Sequence, residues 1–409
     1  MRKRRPRQTR DRRQPQAEQN ANSIVEVTIE RILPGGAGLA HADGRTLLVA
    51  LAAPGDRAAV RIERVQGRVA FASIVEILSP SPVRVEPPCP YFGRCGGCDF
   101  QQLSYEAQLA AKVEIIRDCV RRIARLEFEG DIPITASPDI WRYRSRAQWQ
   151  HDPLRKRLGY FERASHRVCD VVHCPVLVPE LEAMLESLRE QMKEGLLPEE
   201  VTELQAVAGD DGASLAPPVP EHPTREVCRR IGEDNYHFSA EGFFQINHDL
   251  LETLIAAALD DARGQTAIDL YCGAGLFTLP LARRFTHVFG VEANATAISY
   301  ARRNLESAQL DNAGFETARV GDWLTDNSDR LAPVDFVLLD PPRAGAENGV
   351  IDGILALKPR RISYVSCDPA TLARDLRGLV VGGYRLDSLA AFDMFPQTHH
   401  VETVAKLRC

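Results

Sequence analysis

The chain has 409 residues, 44 % of them hydrophobic and 26 % charged, with a formal net charge of −6. That length predicts two or three domains with ample material for a core, and the lack of any bilayer-length apolar run or N-terminal apolar signal core argues against a membrane-spanning or secreted protein. In the cytosol that this implies, the 10 cysteines stay reduced, so clustered ones point to metal or catalysis before disulfides.

Residues 1–21 open with "MRKRRPRQTRDRR", eight Arg/Lys against one Asp, and read as a basic disordered arm, of a kind that serves solubility as readily as nucleic-acid binding. Residues 22–80 alternate short apolar strands with glycine turns such as "PGGAG" and "APGD", which predicts a small β-barrel. A proline-rich boundary, "SPVRVEPPCP", opens the segment 81–235. An amphipathic helix is expected at 104–124 with Ser104 as its N-cap, and a second near 179–194.

Between these lies "CPYFGRCGGCDFQQ", with Cys89, Cys95 and Cys98 at C-x5-C-x2-C spacing. Three thiolates close no site. Cys174 in "VVHCPVL" is the best fourth because it too precedes a proline, with Cys169 the competitor. Spacing alone leaves zinc and a [4Fe–4S] cluster balanced. The stretch 141–167 holds eight Arg/Lys against two acids, with five aromatics interleaved. Arg142, Arg144 and Arg146 alternate, so a strand there presents three guanidiniums on one face, suited to phosphates and unstacked bases.

From about 265 strands and helices alternate, which predicts an α/β domain with a parallel sheet. "TAIDLYCGAGLF" is strand, glycine turn and helix, with Gly273 and Gly275 giving G-x-G without the third glycine of dinucleotide binders. Such a turn fits a nucleoside lacking a pyrophosphate, such as S-adenosylmethionine. Glu292 ends the next strand, placed for two ribose hydroxyls. Asp322 follows the third strand, where an acid contacts adenine, and Asp340 in "DPPR" ends the fourth. Arg343 stands where enzymes that methylate exocyclic amines place an aromatic, which demotes nitrogen methylation.

Cys367, in "SYVSCDPATLARDL", ends the fifth strand and faces the same crevice. A thiolate there suits methylation of uracil carbon 5: sulfur adds to carbon 6, and carbon 5 becomes nucleophilic. A base must then remove the carbon 5 proton. Glu402, opening the last strand after "DMFPQTHHV", is the candidate, while His399 and His400 read as structural.

"DLYCGAG", "LLDPPRAG", "YVSCDPATLARD" and "DMFPQTHHVE", in this order, with "EGFFQINHDL" ahead of them, resemble the RNA 5-methyluridine methyltransferase family, over roughly residues 22–409. The barrel and cysteines resemble its iron–sulfur branch with an N-terminal TRAM domain. The resemblance implies a class I, Rossmann-like methyltransferase domain at 236–409, an OB-like RNA-binding barrel and an α+β iron–sulfur domain. It implies Cys367 as nucleophile and Glu402 as base, and Gln245, Tyr271, Glu292, Asp322 and Asp340 in the S-adenosylmethionine site. It implies Cys89, Cys95, Cys98 and Cys174 as ligands of a [4Fe–4S] cluster. The expected partner is structured RNA, most of all 23S ribosomal RNA, met by a cytoplasmic monomer. The T-loop uridine of transfer RNA is the alternative substrate, and a non-catalytic RNA-binding module the alternative class. Leu276 departs from the asparagine that many members carry after the second glycine, and residues 205–225 look shortened.

Overall fold

A computed structural model describes residues 22–327, 331 and 333–409; the basic arm falls outside the described residues. The chain divides into two compact units, one of residues up to 33 together with 37–84, the other of 34–36 and 85–409. Among the described residues no helix is long and apolar enough to cross a membrane.

The first unit is a six-stranded sheet of β1 (Ile24–Thr28), β2 (Arg31–Ile32), β3 (Gly38–Ala42), β4 (Arg45–Ala50), β5 (Arg57–Gln66) and β6 (Val69–Ser79), ordered β1-β5-β6-β4-β3-β2. β1 also packs against β3, so the sheet curls. Three register shifts along β5–β6 bend the long hairpin, which is how bulges let a small sheet enclose a core. That core is alternate-residue and aliphatic: Val27, Leu47, Val49, Val60 and Ile62. The expected "APGD" turn is tied by buried Asp56, which accepts from the backbone N–H of Ala53 at 2.7 Å and from the guanidinium of Arg84 at 2.6 and 2.9 Å.

The second unit begins with the cysteine-rich turns and α1 (Tyr105–Cys119), which continues as a π-helical turn over Val120–Ala124. The Ser104 hydroxyl accepts from the Ala107 N–H at 3.4 Å, the expected cap. β7 (Ile134–Thr135) follows, then β8 (Arg146–Asp152), β9 (Arg157–Phe161), β10 (Val168–Asp170), α2 (Pro179–Glu194), β11 (Glu203–Gly209) and β12 (Gly212–Ala216). β8 to β12 form an antiparallel sheet ordered β10-β9-β8-β11-β12. α2 lays Leu181, Leu185 and Leu188 on it, at the spacing of one helical face. A hairpin of β13 (Val227–Ile231) and β14 (Asp234–Phe238) leads to α3 (Leu251–Leu259).

The remaining elements alternate: β15 (Gly264–Leu270), α4 (Thr278–Ala282), β16 (Phe285–Glu292), α5 (Ala295–Ser307), β17 (Ala313–Thr317), α6 (Val320–Asn327), β18 (Phe336–Leu339), α7 (Val350–Leu357), β19 (Arg361–Ser366), α8 (Pro369–Val381), β20 (Arg385–Phe392) and β21 (Glu402–Arg408). The sheet order is β17-β16-β15-β18-β19-β21-β20-β7. β15 to β19 are parallel, and the apolar runs of the inner strands β15, β18 and β19 are buried on both faces, as such strands require, while β17 at the edge is largely exposed. This is a Rossmann-like sheet whose order reverses between β15 and β18, the switch point where ligands bind. β21 runs antiparallel between β19 and β20. β7, far upstream, adds to the edge beside β20, so the catalytic sheet borrows a strand from the segment assigned above to the central domain.

One expectation fails here. Arg142, Arg144 and Arg146 do not share a strand face. β8 starts only at Arg146, the first of the three with a partner in β11, Val207. Arg142 lies in the left-handed region at φ 53°, and Arg144 forms only isolated bridges to Leu177 and Asn247. The chain turns there instead of running straight, and the Tyr143 hydroxyl donates to the Pro396 carbonyl at 2.8 Å.

Candidate active site

Strand polarity assembles the site. Cys367 follows β19 and Asp340 follows β18, both at the carboxyl ends of parallel strands. Because β21 is antiparallel, its first residue, Glu402, lies at that same edge. The register Ser366↔Thr403 sets Cys367 and Glu402 opposite one another one step further along, where paired residues of adjacent strands project to the same side. The Asp340 N–H donates to the Leu270 carbonyl at 3.3 Å, closing the end of β15 onto β18. Gln245, buried in the segment after β14, donates from Nε2 to Asp340 Oδ2 at 3.2 Å. The expected nucleophile, base, Asp340 and Gln245 therefore meet at one crevice.

Three acidic groups and one guanidinium meet in that crevice. Burial, then the carboxyls of Glu402 and Asp340, push the Cys367 thiol up to about 12, against the opposing pull of the Arg343 guanidinium, which hydrogen-bonds it. Burial pushes Asp340 up to about 7, while its bond from Gln245 acts the other way. Glu402 is 1 % exposed, its Oε1 has no hydrogen-bond partner, and burial followed by Asp340 raises it well above the carboxylate range. Burial thus favours the neutral form of each of these three groups, and a cation beside them favours the ionised forms.

The glycine turn after β15 takes the backbone of Tyr271, Gly273 and Gly275 to φ 62°, 53° and 87°. At Gly275 a Cβ would meet Leu279 at 3.2 Å in a conformation that side chains avoid. The N–H of Gly273 donates to one Glu292 carboxylate oxygen at 3.4 Å, and that of Asn294 to the other at 2.8 Å. Glu292 is thereby held at the mouth of the turn. The Tyr271 hydroxyl accepts from the Glu347 N–H at 3.3 Å. Asp322 is exposed in the first turn of α6, beyond the end of β17. Leu276 is buried and its carbonyl accepts from the Tyr236 hydroxyl at 3.2 Å.

Cys89, Cys95, Cys98 and Cys174 line one cavity with Tyr91, Phe92, Tyr160 and Val171. All four are half-buried and free of disulfides, and the Gly97 N–H donates to the Cys95 sulfur at 3.4 Å. The competitor Cys169 is buried in β10, where its sulfur accepts from Arg94 Nε at 3.3 Å. Among the described residues no group of three or more His, Cys, Asp or Glu is set to hold a single metal ion.

Three residues escape the sequence reading. Asp269, fully buried in β15, accepts from the Thr278 hydroxyl at 2.5 Å and is pushed up to about 7 by burial, the Thr278 bond acting against it. Its position ahead of the glycine turn is the available signal. Arg343 enters that reading only for what it is not. Phe243 is 58 % exposed two residues before Gln245, with the Arg146 guanidinium 5.7 Å from its ring centre. An exposed ring with a guanidinium over it is suited to stack a base.

Comparison with known proteins points to one family. The sequence model for tRNA (Uracil-5-)-methyltransferase matches residues 227–408, and that for the TRAM domain matches residues 18–75. The chain is 34 % identical to the 23S rRNA (uracil(1939)-C(5))-methyltransferase of Pectobacterium atrosepticum, covering 93 % of both. It is 32 % identical to an uncharacterized RNA methyltransferase of Halalkalibacterium halodurans, over 96 % of this chain and 98 % of that protein. Among solved structures it is similar to the tRNA (uracil-54, C5)-methyltransferase of Pyrococcus abyssi in complex with S-adenosyl-L-homocysteine. There the TM-score is 0.70 at 27 % identity, with 93 % of this chain and all of that one covered.

Proposed function

We propose that this chain, which belongs to the RNA (uracil-5-)-methyltransferase family, methylates carbon 5 of a uridine in 23S ribosomal RNA, with Cys367 as nucleophile and Glu402 as base. The observation that carries the roles is the register that sets the thiol opposite a buried carboxyl with an unpartnered oxygen. S-adenosylmethionine, when bound, supplies a methyl group on a sulfonium cation. Glu292, Asp322, Tyr271 and Gly273 border its nucleoside side, and Asp340 with Gln245 stands between that side and the base pocket.

The Cys367 sulfur forms a bond to uracil carbon 6, and the carbon 5–carbon 6 π electrons move onto the ring carbonyl as an enolate. Carbon 5 would then take the methyl group as the methyl–sulfonium bond breaks, the electron pair of that bond staying with the donor as a neutral thioether. Glu402 removes the carbon 5 proton, the double bond returns, and the sulfur–carbon 6 bond breaks to release thiolate. Arg343, the one cation among the groups acting on the thiol, favours its ionised form at entry and exit. The target base must leave its stack to reach this crevice, and exposed Phe243 offers it a face.

Ribosomal RNA as substrate rests on the Pectobacterium relative, and the resemblance to the Pyrococcus enzyme supports transfer RNA as the second reading. Incubation with labelled S-adenosylmethionine and each RNA in turn decides between them. Label should enter the 23S transcript, and Cys367→Ala should abolish transfer by at least about 10³-fold. Full transfer by that variant would refute the mechanism, and label in transfer RNA alone would refute the substrate.

The same reading assigns Cys89, Cys95, Cys98 and Cys174 to a [4Fe–4S] cluster with a structural role. Their convergence on one largely apolar cavity supports this, and the Gly97 N–H aimed at sulfur suits bound thiolate. Anaerobically prepared protein should carry about four iron and four sulfide per chain, lost together in Cys98→Ser. A colourless zinc protein would overturn the assignment.

A further inference from the structure

Gln397 lies in the connector between β20 and β21 and is only 2 % exposed, yet its φ is 67°. A non-glycine residue holds that strained conformation only where its surroundings over-determine it. Each of its polar groups is claimed. Its N–H donates to Gln108 Oε1 at 2.9 Å, and its Oε1 accepts from Gln108 Nε2 at 3.0 Å. Its carbonyl accepts from the N–H groups of Asp99 and Phe100 at 3.1 and 3.0 Å. Four residues earlier, Asp393 is fully buried in an ion pair with Lys112, whose ammonium also donates to the Phe395 carbonyl at 3.0 Å.

Most of these partners come from residues 99–112, the end of the cysteine-rich turns and the helix α1, with the Ile140 carbonyl accepting from Gln397 Nε2 at 3.5 Å and the Tyr143 hydroxyl donating to Pro396 beside it. A buried ion pair adds little net stability but strongly favours one arrangement, because separating its charges leaves both unpaired. The connector they hold ends at Glu402. Cys367 hangs instead from β19, fixed by ladders to β18 and β21. Glu402 is the first residue of β21 and pairs with Phe392 of β20, so loosening the connector frays that terminal pair first and reaches Cys367, which follows β19, only through the ladder beyond it.

We propose that Gln108 and Lys112 are positioning residues for proton removal: they clamp the strained connector at Gln397 and Asp393 so that Glu402 faces carbon 5 of the covalently held uracil. This rests on the assignment of Cys367 and Glu402 above. The reaction then has two separable halves, sulfur addition with methyl entry, and proton removal with sulfur release; only the second depends on the clamp.

The test uses full-length protein, RNA tritiated at uridine carbon 5, and carbon-14-labelled S-adenosylmethionine. Wild-type enzyme should release one tritium per methyl group delivered to free RNA. In Gln108→Ala and Gln397→Gly, tritium release should fall at least tenfold while carbon-14 accumulates in a denaturant-stable protein–RNA adduct, the pattern also expected of Glu402→Gln. Gln397→Gly keeps the backbone angle accessible, so it reports on the clamp if Gln108→Ala does not fold. Parallel loss of both labels without adduct, or wild-type rates in both variants, overturns the proposal. Failure of wild-type enzyme to form an adduct with 5-fluorouridine RNA would instead remove the assignment of Cys367 on which it stands.

Discussion

Arg343 is exposed, follows the Asp340–Pro341–Pro342 turn, and is the cation acting on both Cys367 and Glu402. Its removal leaves the thiol facing two carboxyls with nothing to offset them. Arg343→Ala should therefore slow alkylation of Cys367 by iodoacetamide at pH 8 by roughly tenfold, the thiolate lost for one pKa unit. The alkylation–pH profile should move upward, and Arg343→Lys should recover part of the rate; unchanged alkylation would remove Arg343 from the account. Sequence reading reaches Cys367 because it follows an apolar run and Glu402 because it opens one. It passes over Arg343 because its relation to sulfur spans two strands and leaves no local pattern.

Among elements, β15 and α4 are joined across the glycine turn by Asp269 and Thr278. Burial raises Asp269 in the folded state to about 7, against 3.8 for a free carboxyl. A carboxyl raised by folding contributes its full stability below the unfolded value and loses it as pH climbs through the folded one. Wild-type protein should thus lose stability between pH 4 and 7 on this account, by a few kcal/mol at about 1.4 kcal/mol per pKa unit. Asp269→Asn should show a smaller loss over that window in thermal unfolding across pH, and parallel curves would contradict the assignment. The parallel strands β15 to β19 were legible from alternation of apolar runs and helices. The arginine alternation at 142–146 misled, because a period of two marks a strand only where a partner strand exists, and β11 reaches no further than Arg146. Nor could the local sequence reveal that β7 joins the catalytic sheet or that Lys112 is fully buried, since both depend on partners more than 250 residues away along the chain.

At the scale of the molecule, the first unit has its own aliphatic core and shows exposed Arg57, Arg61 and Arg64 along β5, the last over the Phe71 ring at 4.2 Å. Positive charge with an aromatic fits phosphate and base recognition. Deleting residues 1–84 should leave S-adenosylmethionine affinity unchanged while weakening RNA binding. The slope of log affinity against log salt should fall by about 0.7–0.9 for each phosphate that the shortened protein no longer neutralises. Titrations of both ligands into full-length and truncated protein read this directly, and an unaltered slope would show that the unit touches no phosphate.

β21 is the last strand in sequence but lies inside the sheet, between β19 and β20. Without β21 the edge of β19 has no partner, β20 and β7 are cut off from the parallel strands, and no Glu402 carboxyl stands near the Cys367 thiol. The thiol and the carboxyl are thus brought together only by the strand that closes the sheet, so insertion of β21 and assembly of the site are one event.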